Sequence, residues 1–182
     1  MVLGPDRAKL SKRHGAMPAL AYRDQGYVPE AVLNFIAFLG WNPKTEKELF
    51  TLDELVQEFD LAKVNKASAI FNIDKLDWLN AKYIRNMADT DYVTAALKYL
   101  GVHASHQLAP RAVLLVKDRI RKFTEIPEHV GFIFKEKLDY DPALLIPKNG
   151  NQEQTMEVLQ QTADYISTLP AEVFETDALK QQ

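Results

Sequence analysis

Lys9-Leu10-Ser11-Lys12-Arg13-His14-Gly15 puts three cationic side chains within five positions, near the N-terminus of a 182-residue chain. A small hydroxyl lies between them and a glycine follows. This set suits a loop that grips phosphates. Ammonium groups on flexible stems neutralise phosphate oxygens, and a glycine lets the backbone turn sharply. Gly4-Pro5, Gly15 and Pro18 break regular structure around the cluster, so its cations are not one face of a helix.

The elements that would position such a loop are almost all helical. Residues 1–28 read as irregular, apart from a short apolar Met1-Val2-Leu3. Pro29 fits the first turn of a helix whose apolar side is Val32, Leu33, Phe35, Ile36 and Leu39, with Gly40 as its stop. Thr51-Leu52-Asp53-Glu54 matches a capping box, and Leu52, Leu55, Val56 and Phe59 continue that helix. Asn72 or Asp74 can cap a helix that buries Leu76, Leu79 and Tyr83, with Trp78 and Ile84 joining the same core. Another helix follows Asp89-Thr90 and ends at Gly101. A pattern from Arg111 to Phe123 reads as a strong amphipathic helix. A short helix from Pro127 to Phe134, a loop over 139–150, a full helix over 152–168 and a last one from Ala171 complete the chain. The fold class is mostly α. The breakers near 101–110 suggest a boundary between residues 1–100 and residues 101–182.

Composition narrows the function classes. The formal net charge of −3 does not announce a nucleic-acid binder, but the charge is unevenly placed. Arg7, Lys9, Lys12, Arg13 and Arg23 face only Asp6 in the first 23 residues. Glu153, Glu157, Asp164, Glu172, Glu175 and Asp177 face only Lys180 in the last 32. Such asymmetry can orient a polyanion at one end of a molecule. There is no cysteine, which excludes disulfides and thiolate metal sites. His14, His103, His106 and His129 are scattered without a third ligand nearby, so no metal site is expected. No apolar run reaches membrane-spanning length, and a cytoplasmic protein without membrane contact is the expectation.

Lys9 to Arg13 resembles the KMSKS signature of class I aminoacyl-tRNA synthetases. Its extended form, Lys-Leu-Ser-Lys-Arg-His-Gly, is characteristic of glutamyl-tRNA synthetase. The resemblance continues through Tyr22-Arg23-Asp24, Gly26-Tyr27, Pro29-Glu30-Ala31 and Leu39-Gly40-Trp41. It then runs through Phe59-Asp60-Leu61, Val64-Asn65-Lys66, Ala69-Ile70-Phe71 and Lys75-Leu76-Asp77-Trp78-Leu79-Asn80. It is dense to about residue 85 and loose beyond. Glutaminyl-tRNA synthetase shares the class, but its later half is built from β-barrels, which this helical pattern does not suggest.

The resemblance implies ATP-dependent joining of glutamate to tRNA, with magnesium accompanying the nucleotide. Lys12 is the expected catalytic cation, with Lys9 beside it, and Lys9, Ser11, Lys12 and Arg13 are the expected ATP contacts. Arg13 either supports the loop or reaches the RNA, and His14 is expected to be structural. No His-Ile-Gly-His-like segment and no βαβ pattern precede Lys9, so the family's nucleotide-binding domain is expected to lie outside this chain. The chain then reads as the C-terminal portion of a bacterial-type enzyme, monomeric and inactive alone. It would bind tRNA without retaining ATP or glutamate. Residues 1–100 would be the stem-contact domain with the KMSKS loop, and 101–182 a truncated first helical anticodon-binding subdomain. Lys63, Asn65, Lys66, Lys75, Lys82 and Arg85 are the candidate tRNA contacts, and Lys117, Arg119, Arg121 and Lys122 form a second basic patch. Trp41, Trp78 and Tyr83 are read as packing residues. The alternative is a freestanding RNA-binding or protein-interaction module derived from such an enzyme.

Overall fold

A computed structural model of the chain describes residues 1–170. The helix expected from Ala171 lies outside the described residues. Two compact units are present, Met1–Lys135 and a second beginning at Glu136.

The first unit opens with β1 (Val2–Leu3), and a tight reversal brings Lys9 antiparallel to Leu3. Helices α1 (Ala19–Asp24), α2 (Pro29–Phe38) and α3 (Leu52–Glu58) follow. Strand β2 (Ala69–Ile70) pairs parallel with β1, Val2 opposite Ala69 and Leu3 opposite Ile70. Helices α4 (Ile73–Asn86), α5 (Asp89–Leu97), α6 (Ala109–Leu114) and α7 (Ile126–Val130) complete the unit. Helix α8 (Gln152–Thr168) belongs to the second unit and buries none of its residues.

Local chemistry explains most helix starts. Pro29 opens α2 at its first turn, where a missing N–H costs nothing. The capping box of α3 is formed. Thr51 Oγ1 accepts the Glu54 N–H at 3.2 Å, and Glu54 accepts the Thr51 N–H at 2.9 Å. Lys47, 2.7 Å from Glu54, and the Thr51 N–H hold that carboxyl below its usual range. Asn72, rather than Asp74, caps α4 by accepting the Lys75 N–H at 3.2 Å.

The packing departs from the sequence reading in three places. First, α2 buries Ala31, Asn34 and Phe35, while Leu33 and Ile36 face out. With Leu52, Val56 and Phe59 of the α3 segment they line an apolar groove of about 460 Å³. Second, the helix expected over Arg111–Phe123 stops at Leu114. From there the backbone tightens to i−3 bonds, Val116 to Val113 at 3.2 Å and Arg119 to Val116 at 2.9 Å. Tertiary contacts outweigh propensity here. Lys117 is drawn inward to the Met87 carbonyl at 2.6 Å, and Val116 and Ile120 enter the core. Third, packing does not break near residue 101. One cluster joins Val28, Ala31 and Ile84 to Ala96, Ala109, Val113, Ile120, Phe123 and Val130.

Two buried asparagines tie this unit together. Asn34 Oδ1 accepts from the Phe50 N–H at 2.8 Å and faces the Tyr83 hydroxyl at 2.6 Å. Asn80 Oδ1 accepts the Val28 N–H at 2.8 Å, and its amide donates to the Arg121 carbonyl at 2.5 Å. Gly26 lies alongside. Its φ is +84°, and a Cβ there would stand 2.7 Å from the Thr124 nitrogen. An Asn80→Ala variant leaves a buried N–H and a carbonyl without partners. It should lose about 3 kcal/mol of stability. Urea unfolding checks this: the midpoint should fall with little change in slope, and an unmoved midpoint would refute the role.

Candidate functional site

Lys12, Arg13 and His14 of the basic loop form a short 3₁₀ turn that follows the β1 reversal, with Lys9 still in the reversal. Leu10 N–H donates to the Val2 carbonyl at 3.1 Å, and Phe71 N–H to the Leu3 carbonyl at 2.8 Å. The β1 strand is thus held on both sides, by the loop's own root and by β2. This fastens the loop to the segment carrying Lys63, Asn65 and Lys66. No sequence signal marked β2, because two residues are too short to show alternation.

Within the loop the cations separate into two classes. Arg13 reaches Asp6, with Nη2 3.5 Å from Oδ2. Lys9 and Lys12 are exposed and make no ion pair or side-chain hydrogen bond among the described residues. Ser11 is half-buried, with Oγ 3.3 Å from His14 Nδ1. Gly15 has φ +83°, the left-handed turn that closes the 3₁₀ segment.

The second set of candidates lies on or before α4. Lys63, Asn65 and Lys66 are exposed. The Asn65 N–H donates to the Gly40 carbonyl at 2.6 Å. Lys75 pairs with Glu48 and lies 3.9 Å from the centre of the Trp78 ring. Lys82 stands 5.7 Å from the same ring, and Arg85 Nε donates to the Asp118 carbonyl at 3.2 Å. Trp78 is 38% exposed, against the expectation of burial. Helical spacing placed it beside Leu76 and Leu79, but its ring turns out to face the two lysine ammonium groups. Trp41 is 2% exposed, as expected of a packing residue, while Tyr83 is only half-buried and spends its hydroxyl on Asn34 and Phe50. A cleft of about 570 Å³ runs between the Trp41–Glu48 loop and the Asn65–Asn72 segment, with Lys75 at its wall.

The second basic patch does not form one surface. Lys117 binds Met87 and Asp89, and Lys122 lies 3.7 Å from Asp77, so these two cations face inward. Among the described residues no group of three His, Cys, Asp or Glu side chains could hold a metal ion, and no helix is long and apolar enough to cross a membrane.

The sequence families place this geometry. Residues 1–78 match the model for the catalytic domain of class I tRNA synthetases (E and Q), and residues 76–182 match an anticodon binding domain. The chain belongs to the class I glutamate and glutamine tRNA synthetase family. A glutamate–tRNA ligase of Dehalococcoides mccartyi is 38% identical over 178 residues, which is 93% of this chain and 37% of that protein. One from Herpetosiphon aurantiacus is 40% identical over 169 residues, 88% of this chain and 34% of its own length. The chain therefore spans little more than a third of the relatives it matches. A crystal structure of a glutamate tRNA ligase from Elizabethkingia meningosepticum, in complex with its amino acid, superposes with a TM-score of 0.79. It is 30% identical, and the match covers 100% of this chain and 39% of that one. The mostly α architecture thus recurs in a solved synthetase. The border between the two family matches falls inside α4.

Around α4 the buried phenols are raised, Tyr27 and Tyr92 most strongly. Burial, and then the Asp77 carboxylate to which it donates, push the Tyr27 hydroxyl far above the usual phenol range. Burial does the same to Tyr92, which donates to the Val113 carbonyl at 2.9 Å. Tyr22, Tyr83 and Tyr99 are raised as well, chiefly by burial. A folded-state pKa above the unfolded one gives stability that is complete below the unfolded value, about 10, and lost as pH climbs past it. Alkaline titration of the folded chain should show Tyr27 and Tyr92 ionising late, together with unfolding, and the other three above the ordinary phenol range. Free-tyrosine behaviour of all of them in a folded chain would contradict the packing.

Proposed function

We propose that this chain is the part of a glutamate–tRNA ligase that carries the phosphate-gripping loop and holds the tRNA. The observation that carries the reading is the pair of unpartnered ammonium groups, Lys9 and Lys12. They stand on a loop whose other polar side chains are engaged. In the parent reaction the glutamate carboxylate attacks the α-phosphate of ATP and pyrophosphate leaves. The terminal ribose hydroxyl of tRNA then takes the glutamyl group from the adenylate and AMP leaves. Lys12 stabilises charge growing on the phosphate oxygens, and Lys9 assists. Ser11 and Arg13 complete the ATP contacts, Arg13 chiefly as a support through Asp6. Magnesium arrives with the nucleotide. The glutamate pocket and the remaining ATP contacts belong to a domain outside these residues. The setting is the cytoplasm and the chain is monomeric.

The tRNA rests on the exposed Lys63, Asn65 and Lys66 and on Lys75, Lys82 and Arg85 of α4. Trp78 stands among the lysines as an aromatic surface that a ribose or base can cover. Lys75 exchanges Glu48 for a phosphate. Residues 1–100 serve the stem and residues 101–182 the anticodon arm, a division of labour that crosses a shared core.

Replacing Lys75, Lys82 and Arg85 with alanine should weaken tRNA binding by the chain. It should also lower the slope of log affinity against log salt by about 2 to 3. An unchanged slope would remove these residues from the interface. In a full-length glutamate–tRNA ligase carrying this segment, Lys12→Ala should depress ATP–pyrophosphate exchange about 10²-fold. The isolated chain should support none.

A further inference from the structure

His14 is the anomaly of the basic loop. Its neighbour Arg13 is 73% exposed at the side chain, yet the His14 side chain is only 8% exposed. The ring is engaged at both nitrogens. Nε2 lies 3.1 Å from Asp6 Oδ2, and Nδ1 lies 3.3 Å from both the Ser11 backbone nitrogen and the Ser11 Oγ. Gly4 lies against the ring, and a Cβ on it would stand 2.4 Å from Nδ1.

The partners fix the tautomer. The Ser11 N–H can only donate, so Nδ1 must accept. The Asp6 carboxylate can only accept, so Nε2 must carry the hydrogen. Arg13 Nε sits 3.2 Å from Nε2 but cannot donate to a nitrogen that already carries a hydrogen, so Arg13 acts through Asp6. The Ala8 N–H, and then His14 and Arg13, hold the Asp6 carboxyl below its ordinary range, which keeps the acceptor charged. The opposite tautomer would set two donors against each other at Ser11.

We propose that His14 is the positioning residue of the phosphate loop: one imidazole nitrogen clamps Ser11, the other clamps Asp6, and the clamp sets the direction in which Lys12 leaves the backbone. The proposal rests on the reading of the loop given above. It explains why every polar side chain from Ser11 to His14 except Lys12 has a partner. A corollary concerns Ser11. Its hydroxyl shares the single Nδ1 lone pair with the Ser11 N–H, so it supports the loop first and a phosphate second.

Three substitutions separate the two arms. In the 182-residue chain, His14→Ala should speed hydrogen exchange at the Ser11 amide about 10-fold. His14→Asn keeps an acceptor at the Nδ1 position and should restore most of that protection. His14→Gln reaches toward Asp6 instead and should restore little. Unchanged amide protection around Asn80 confirms that each variant is folded. In a full-length glutamate–tRNA ligase carrying this segment, His14→Ala should lower kcat for ATP–pyrophosphate exchange about 10-fold while the KM for ATP hardly moves. His14→Asn should recover more of that rate than His14→Gln. Equal behaviour of all three variants, or no change in Ser11 exchange, overturns the clamp. Lys12→Ala in the same enzyme is the control. If it cripples exchange and His14→Ala does not, the positioning role falls alone. If Lys12→Ala has no effect, the phosphate-loop reading falls, and the clamp is then judged on Ser11 protection.

Discussion

The first unit depends on satisfying the fully buried side-chain amide of Asn80. That amide sits on α4, fully buried, with the start of α2 on one side and the Arg121 turn on the other. A buried amide left unpaired is costly, so the three segments are either all in register or all disturbed. Gly26 admits this closeness because the backbone of Phe123 and Thr124 occupies the space where a side chain would stand. Further bonds follow the same seam. Thr124 Oγ1 donates to the Gln25 carbonyl at 2.9 Å, and the Tyr99 hydroxyl to the Arg23 carbonyl at 3.2 Å. Residues on either side of the Gly101–Pro110 region therefore share one interior.

Much of this was legible from residue types alone. Pro29, the Thr51–Glu54 box, a cap at Asn72 or Asp74 and the boundaries of α8 follow from local rules that need no tertiary knowledge. The basic loop and its family were equally plain. Facing was less so. Leu33, Ile36 and Trp78 are apolar at helical spacing, yet each is exposed, because periodicity fixes which residues share a face and not how wide the buried stripe is. The run after Leu114 misled for another reason: the pull of Met87 and Asp89 on Lys117 is a long-range interaction with no trace in the local pattern. The same holds for β2, for Glu48 as the partner of Lys75, and for the Asp6–His14 contact.

The cations differ in how far the protein has already committed them. Lys117 and Lys122 are spent on closing the fold, Arg13 on bracing its loop, and Lys75 on a carboxylate it can exchange. Lys9, Lys12, Lys63 and Lys66 are surface charges without ion-pair partners among the described residues. Net charge conceals this ordering. A chain that is acidic overall can still present a cationic face where its basic residues are left unneutralised.

Helix α4 ends one family match and begins the other, since residues 76–78 belong to both. Its 14 residues make a rod about 20 Å long. Trp78 and Asn80 lie near its middle, and Ile84 is buried near its C-terminal end. A recombination event at that family border would thus cut within a single helix. The hybrid would inherit Trp78 from one ancestor and Ile84 from another, and Asn80 would have to find its Val28 and Arg121 partners in mismatched halves. The catalytic and anticodon modules are separable as sequence families, but within Met1–Lys135 they share one core. A viable exchange of anticodon-binding parts between relatives would have to cut beyond Lys135, where the packing divides.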